Sequence, residues 1–199
     1  AGVTACYLRR LWEAEASACR RLNGLLAAGA DTSTQADKTL AEIEAESGIT
    51  YAPQQRQAVR LAARTGVLIL TGGPGTGKTG MEAQTLHRLL GVTWTEGVVT
   101  FQKSEREPLE ADAVIVDEMS MVDVTMFAAL LRALRPGTRL VLVGDADQLP
   151  SVGAGNVFSD LIRSGKVETV FLREVFRQAS ASAIIRNAHA VNLGQPPQL

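Results

Sequence analysis

Two rhythms of apolar residues alternate along this chain. Over residues 4–28, Leu8, Leu11, Ala14, Ala18, Leu22 and Leu25 recur at the three- and four-residue steps of one helical face. "NGLLAAGADTST" then breaks the pattern with glycines and small polar residues. A second helix is expected over residues 35–47, with Leu40 and Ile43 on one face and Gly48 as its C-cap. Pro53 suits the first turn of a third, which continues over residues 57–64 and can end at Gly66. The rhythm then changes to short unbroken apolar runs: "VLIL" (residues 67–70), "AVIVDE" (113–118) and "RLVLVGD" (139–145). Such runs are expected of strands buried on both faces. Residues 122–134 between the last two read as a helix closed by "RPG". Strand, helix, strand is the grammar of a parallel sheet, so an α/β fold is expected. Further on, residues 157–162 are helical, "VETVFL" is strand-like and residues 182–191 are helical again.

Composition changes this picture little. A chain of 199 residues, 46% hydrophobic and 21% charged, can bury a full core. The formal charge of −1 excludes a global polycation, so any nucleic-acid contact must come from a local patch. Arginine far outnumbers lysine, which suits phosphate recognition and equally fits a genomic bias. Cys6 and Cys19 are not spaced as a metal site and have no histidine beside them. Two thiols without a signal peptide fit a reducing cytosol, and a bacterial cytoplasmic location is expected. No apolar run approaches the ~18 residues of a membrane span, so no membrane partner is expected.

The chemistry concentrates after the first strand. Gly72-Gly73-Pro74-Gly75-Thr76-Gly77-Lys78-Thr79 matches G-x-x-x-x-G-K-[ST] and directly follows "VLIL", the context this motif needs. The glycines let successive backbone N–H groups turn inward onto a phosphate. A helix opening at Gly77 would add its partial positive end. Lys78 would place a point charge on the β- and γ-phosphate oxygens, and the Thr79 hydroxyl would complete an Mg²⁺ shell. Asp117 and Glu118 end the second run, at a strand's carboxyl end where open α/β sheets bind ligands. Alone, such a pair is most often a solvated strand end. Beside a phosphate loop, Asp117 reads as the Mg²⁺ ligand and Glu118 as the base for an attacking water. Gln148 lies just after the third strand and can accept from that water while donating to a γ-phosphate oxygen.

Together "GGPGTGKT", "VIVDEMSMVD", "VGDADQLPSVGAGNV" and "LREVFRQ" resemble motifs I to IV of the RecD-like superfamily 1 DNA helicases, in order. That family includes the exodeoxyribonuclease V alpha subunit and stand-alone RecD-type proteins. The resemblance covers residue 50 onward, and less specifically the helices before it. It implies a P-loop NTPase with a RecA-like parallel sheet flanked by helices. The expected domains are an N-terminal helical segment (1–48), a first motor domain (49–174), and motif IV with the start of a second motor domain (175–199). ATP and Mg²⁺ are the implied cofactors. By resemblance, Gln55 in "APQQRQA" reads adenine, and Gly73, Pro74, Gly75, Thr76, Gly77, Lys78 and Thr79 cradle the phosphates. Thr79 and Asp117 hold Mg²⁺, Glu118 is the base and Gln148 the γ-phosphate sensor. Arg177 in "VFRQ" stabilises transition-state charge across a cleft. Thr85 and His87 in "AQTLHRLLG" are the candidates for contact with single-stranded DNA. Single-stranded DNA is the implied partner, with other subunits of a helicase–nuclease complex as further ones. The implied function is ATP-dependent 5′→3′ helicase activity in recombination and repair.

One departure stands out. In the family the helix opened by GKT runs several turns, and a strand and a DNA-contacting loop come after it. Here Thr79 leads at once into "GMEAQTLHRLLG". A glycine in the first turn costs about 1 kcal/mol relative to alanine. The expectation is that a few tens of residues are missing between Thr79 and Gly80. Motifs V and VI are also absent, so this chain alone is expected neither to translocate nor to unwind. The competing readings are the helicase portion of a conjugative relaxase, which would carry an upstream histidine cluster, a P-loop nucleotide kinase, which would need an arginine-rich lid and no glutamate after Asp117, and a non-catalytic module that uses a nucleotide as a structural switch.

Overall fold

The computed structural model describes residues 8–29, 31–72, 84–95, 98–172, 187, 190–191 and 194–196. Its helices are α1 (Arg9–Ala27), α2 (Ser33–Ser47), α3 (Pro53–Arg64), α4 (Leu86–Leu89), α5 (Val124–Ala133) and α6 (Val157–Ser164). Its strands are β1 (Val67–Gly72), β2 (Val92–Thr95), β3 (Val98–Phe101), β4 (Ala113–Val116), β5 (Arg139–Gly144) and β6 (Glu168–Leu172). The main sheet has the order β4-β5-β1-β6. All three of its pairings are parallel.

β1 lies inside this sheet and supplies core to both faces. Successive side chains of a strand point to opposite sides. Val67 and Ile69 join a large cluster with Leu22 and Leu25 of α1, Phe127 and Leu130 of α5, and Phe158 of α6. Leu68 joins Ala58 of α3 and Val170 of β6 on the other face. This two-sided burial is why "VLIL" has no polar position. The first helix thus shares the core of the sheet, through Ala18, Leu22 and Leu25.

The helix ends reflect local chemistry. Gly48 takes φ 68° at the C-cap of α2. Asp123 caps α5, its Oδ1 accepting from Met126 N–H at 2.8 Å. Gln55 closes a box at the start of α3, its Oε1 accepting from Ala52 N–H at 3.0 Å. Ion pairs join α2 to α3, Arg56 with Glu44 at 2.8 Å and Arg60 with Asp37. Arg139, at the start of β5, donates to Ala62 O at 2.9 Å and Thr32 Oγ1 at 3.1 Å, so this hairpin of helices is fastened to the sheet.

A β-hairpin stands apart from the main sheet. β2 and β3 pair antiparallel, with Trp94 opposite Val99 and the Thr93 and Thr100 hydroxyls 2.7 Å apart. Trp94 is 72% exposed. The hairpin was not among the expected elements, although "VTWTEGVVTF" carries the β-branched residues and central glycine of such a unit. Of the helix expected over residues 182–191, the described residues 187, 190 and 191 are helical. Among the described residues, no helix is long and apolar enough to cross a membrane.

Two glycines separate backbone freedom from space. A Cβ at Gly66 would sit 1.8 Å from Leu25 O, so Gly66 is what lets the end of α1 press on the entry to β1. A Cβ at Gly24, exposed on α1, would meet nothing within 4 Å. Gly66→Ala is therefore expected to destabilise by about 2 kcal/mol or more. Gly24→Ala is expected to stabilise by roughly 0.5–1 kcal/mol. Opposite shifts of the thermal midpoint would bear this out; a neutral Gly66→Ala would contradict it.

Candidate functional site

Parallel pairing places the carboxyl ends of β1, β5 and β4 side by side. Thr71 of β1 is in register with Gly144 of β5, and Leu142 of β5 with Val116 of β4. The next residues along each strand are those the sequence singled out: the phosphate motif after Gly72, Asp145 to Gln148 after Gly144, and Asp117 with Glu118 after Val116. α3 reaches β1 in two residues and packs back on β1 and β6. Its first turn, with Gln55, therefore lies toward the same ends.

The β4 tip is shaped for exposed carboxylates. Asp117 is exposed, and its Oδ1 accepts from Glu118 N–H at 2.9 Å. Glu118 takes φ 55° and ψ 41°, the sole non-glycine left-handed residue among those described. That conformation costs about 1 kcal/mol and persists only where the surroundings enforce it. The enforcing element is the 3₁₀ turn Met119–Met121. Met119 is fully buried, and its backbone N lies 3.2 Å from where a Cβ on Gly144 would stand. The absence of a side chain at Gly144 lets the carboxylate turn close onto the β5 tip.

The loop after β5 is stitched to both neighbours. Thr71 Oγ1 accepts from Ala146 N–H at 3.3 Å. Ser120 Oγ donates to Gln148 Oε1 at 3.4 Å. Beyond Gln148, Val124 N–H donates to Ala154 O at 3.0 Å, and Ser151 Oγ donates to the carbonyls of Gly153 and Gly155. A Cβ on Gly153 would collide with Asp123, which places that glycine directly over the cap of α5. Met121, Leu149 and Val152 are exposed around these loops.

The structure thus brings together Asp117, Glu118 and Gln148. It leaves Thr85 and His87 exposed on α4, where the Thr85 hydroxyl caps the helix by accepting from Arg88 N–H at 3.3 Å. Gly73, Pro74, Gly75, Thr76, Gly77, Lys78, Thr79 and Arg177 lie outside the described residues, as do Cys6, His189 and the junction between Thr79 and Gly80. Sequence reasoning missed Thr71 and Ser120, whose only signal was a small hydroxyl beside each strand tip. No group of three or more potential metal ligands occurs among the described residues. One exposed carboxylate at the β4 tip fits a cation that takes its remaining ligands from phosphates and water, as Mg²⁺ does.

A parallel sheet whose β1 runs into a phosphate motif, with an acidic pair on the tip of β4 two strands away, defines a P-loop NTPase core. The chain belongs to the AAA domain family, whose model matches residues 79–199. Within it, the chain is a RecD-like superfamily 1 helicase motor domain, a class that implies nucleotide binding. The ATP-dependent RecD2 DNA helicase of Deinococcus radiodurans is 32% identical over 225 residues, covering 96% of this chain and 30% of that protein. The RecBCD enzyme subunit RecD of Mycobacterium tuberculosis is 32% identical over 213 residues, 78% of this chain and 35% of that protein. The chain spans about a third of the length of these relatives. The first match, at 225 residues against a chain of 199, contains at least 26 positions that this chain lacks. Unliganded Pif1 from Bacteroides sp superposes with a TM-score of 0.46 at 21% identity over 73% of this chain and 48% of that one, too loosely to add to the strand order.

The left-handed Glu118 yields a stability test. Glycine is ordinarily worse than alanine inside ordered structure, but at positive φ the order reverses. Glu118→Gly is expected to melt above Glu118→Ala by the equivalent of about 1 kcal/mol. An alanine variant as stable as the glycine one would show that the backbone is relaxed there.

Proposed function

We propose that this chain is the nucleotide-hydrolysing motor of an ATP-dependent DNA helicase that moves 5′→3′ along single-stranded DNA in recombination and repair. The observation that carries the reading is the adjacency of the β1, β5 and β4 tips, with Asp117, Glu118 and Gln148 on the edge where β1 enters the phosphate motif. The direction of movement and the repair role rest on the family.

In this reading the backbone from Gly73 to Gly77 and the Lys78 ammonium grip the β- and γ-phosphates. Thr79 and Asp117 hold Mg²⁺, which when bound neutralises phosphate charge. Glu118, half-buried at the left-handed turn after β4, takes the proton of the attacking water. Gln148 orients that water and reports the terminal phosphate to the loop beyond it. Arg177 stabilises the charge that develops in the transition state. Gln55 reads the adenine from the first turn of α3, whose entry loop it also closes through Ala52. Thr85 and His87 meet single-stranded DNA from exposed positions, a sequence-tolerant mode of contact. Other subunits of a helicase–nuclease complex are further partners, as the name of the mycobacterial relative implies for that protein.

The test is ATP turnover by the full-length protein with and without single-stranded DNA. DNA is expected to raise kcat, and Lys78→Ala to lower it by about 100-fold or more. Turnover indifferent to DNA, or a Lys78→Ala variant within about twofold of the parent, would defeat the reading.

A further inference from the structure

Thr71, Ser120 and Thr138 are the buried polar side chains among the described residues. Thr138 has a local reason to be buried: its Oγ1 donates to Ala111 O at 3.1 Å and ties the entry of β5 to that of β4. The other two converge on one loop from opposite sides. Thr71, 4% exposed near the end of β1, accepts from Ala146 N–H. Ser120, 7% exposed in the turn after Glu118, donates to Gln148 Oε1. Within the loop, Asp147 N–H donates to Asp145 Oδ1 at 3.0 Å and Gln148 N–H to Asp145 O at 3.3 Å.

We infer that Thr71 and Ser120 are positioning residues that hold Gln148 in register between the phosphate-motif strand and the carboxylate turn. The inference rests on the reading of Gln148 as the sensor of the terminal phosphate. A carboxamide has one accepting end and one donating end. A hydroxyl donating to Oε1 fixes which end of the amide faces Ser120 and leaves the NH₂ end as the donor for an acceptor-rich phosphate. The second lone pair of Oε1 stays available to the attacking water. Without the Ser120 hydroxyl the amide is free to rotate and present oxygen to phosphate oxygen. Thr71 sets the base of the same loop, so a shift of the β1 tip moves Gln148 with it. Both contacts are long, at 3.3 and 3.4 Å, as positioning contacts are before a substrate tightens them.

The experiment compares Ser120→Ala and Thr71→Val with Ser120→Thr and Thr71→Ser in the full-length protein. Each variant is measured for kcat with saturating single-stranded DNA, for KM toward ATP, and for amide exchange over residues 145–148. Removal of either hydroxyl is expected to lower kcat roughly 5- to 20-fold while KM stays within about twofold, and to speed exchange at Ala146 and Gln148. The hydroxyl-bearing variants are expected to restore both. Ser120→Cys, a weaker donor of similar size, shows the same direction where alanine does not fold. Unchanged kcat and exchange without the hydroxyls would overturn the inference, as would losses that Thr and Ser fail to rescue. Should the parent protein show no DNA-stimulated turnover, the reading of Gln148 falls with it. Exchange at residues 145–148 then decides alone: faster exchange keeps the positioning role, unchanged exchange ends it.

Discussion

Parallel hydrogen bonding between β1, β5 and β4 is the constraint on which the site depends. In a parallel pair, neighbouring strands point the same way, so the residues just past each strand emerge on one edge of the sheet. Residues separated by more than seventy positions in sequence, such as Thr71 and Ala146, are thereby in contact. The core supports this arrangement from both sides, with α1 and α5 on one face and α3 on the other. Apolar burial orders the strands, and the strands in turn place the polar groups. Without the first, the carboxylates and the amide would be ordinary surface residues.

Local devices then refine what the sheet only roughly positions. Gly144 is a bare backbone because Met119 and the Phe158 ring occupy the space of a side chain. Glu118 adopts a left-handed backbone, which turns the chain sharply just after Asp117. Gly153 lies over Asp123, binding the loop of Gln148 to the start of the helix beyond the carboxylates. The tips of β4 and β5 therefore form one connected unit. Ser120, two residues beyond Glu118 in the same turn, carries the polar contact from the β4 tip to Gln148.

Much of this was legible in the residues alone. "VLIL", "AVIV" and "RLVLV" became β1, β4 and β5, but the burial on both faces expected of such runs holds only for β1: β4 is an edge strand with Ile115 45% exposed, and β5 alternates buried with half-buried positions. Gly48 did cap its helix, and "VETVFL" did form a strand. The position of β6 beside β1 was not legible, since strand order is a tertiary property with no periodic signal. The β2–β3 hairpin escaped because each strand has four residues, too few for alternation to stand out. Thr71 and Ser120 escaped for a different reason. A buried hydroxyl is recognised by the group it touches, and the partners here lie 75 and 28 positions away. Gln55, expected at the adenine, also closes the box before α3, a local role that the resemblance did not imply.

The central claim is that three strand tips serve one triphosphate. Its most direct measurement is a crystal structure of the full-length protein with Mg²⁺ and a non-hydrolysable ATP analogue. The account predicts the γ-phosphate at the carboxyl ends of β1, β5 and β4, with Asp117 in the Mg²⁺ shell, directly at about 2.1 Å or through one water. It also predicts the Gln148 amide within roughly 3 Å of a γ-phosphate oxygen or of the water in line with it. A nucleotide bound elsewhere, or bound after β1 with Asp117 and Gln148 turned away from its terminal phosphate, would contradict it.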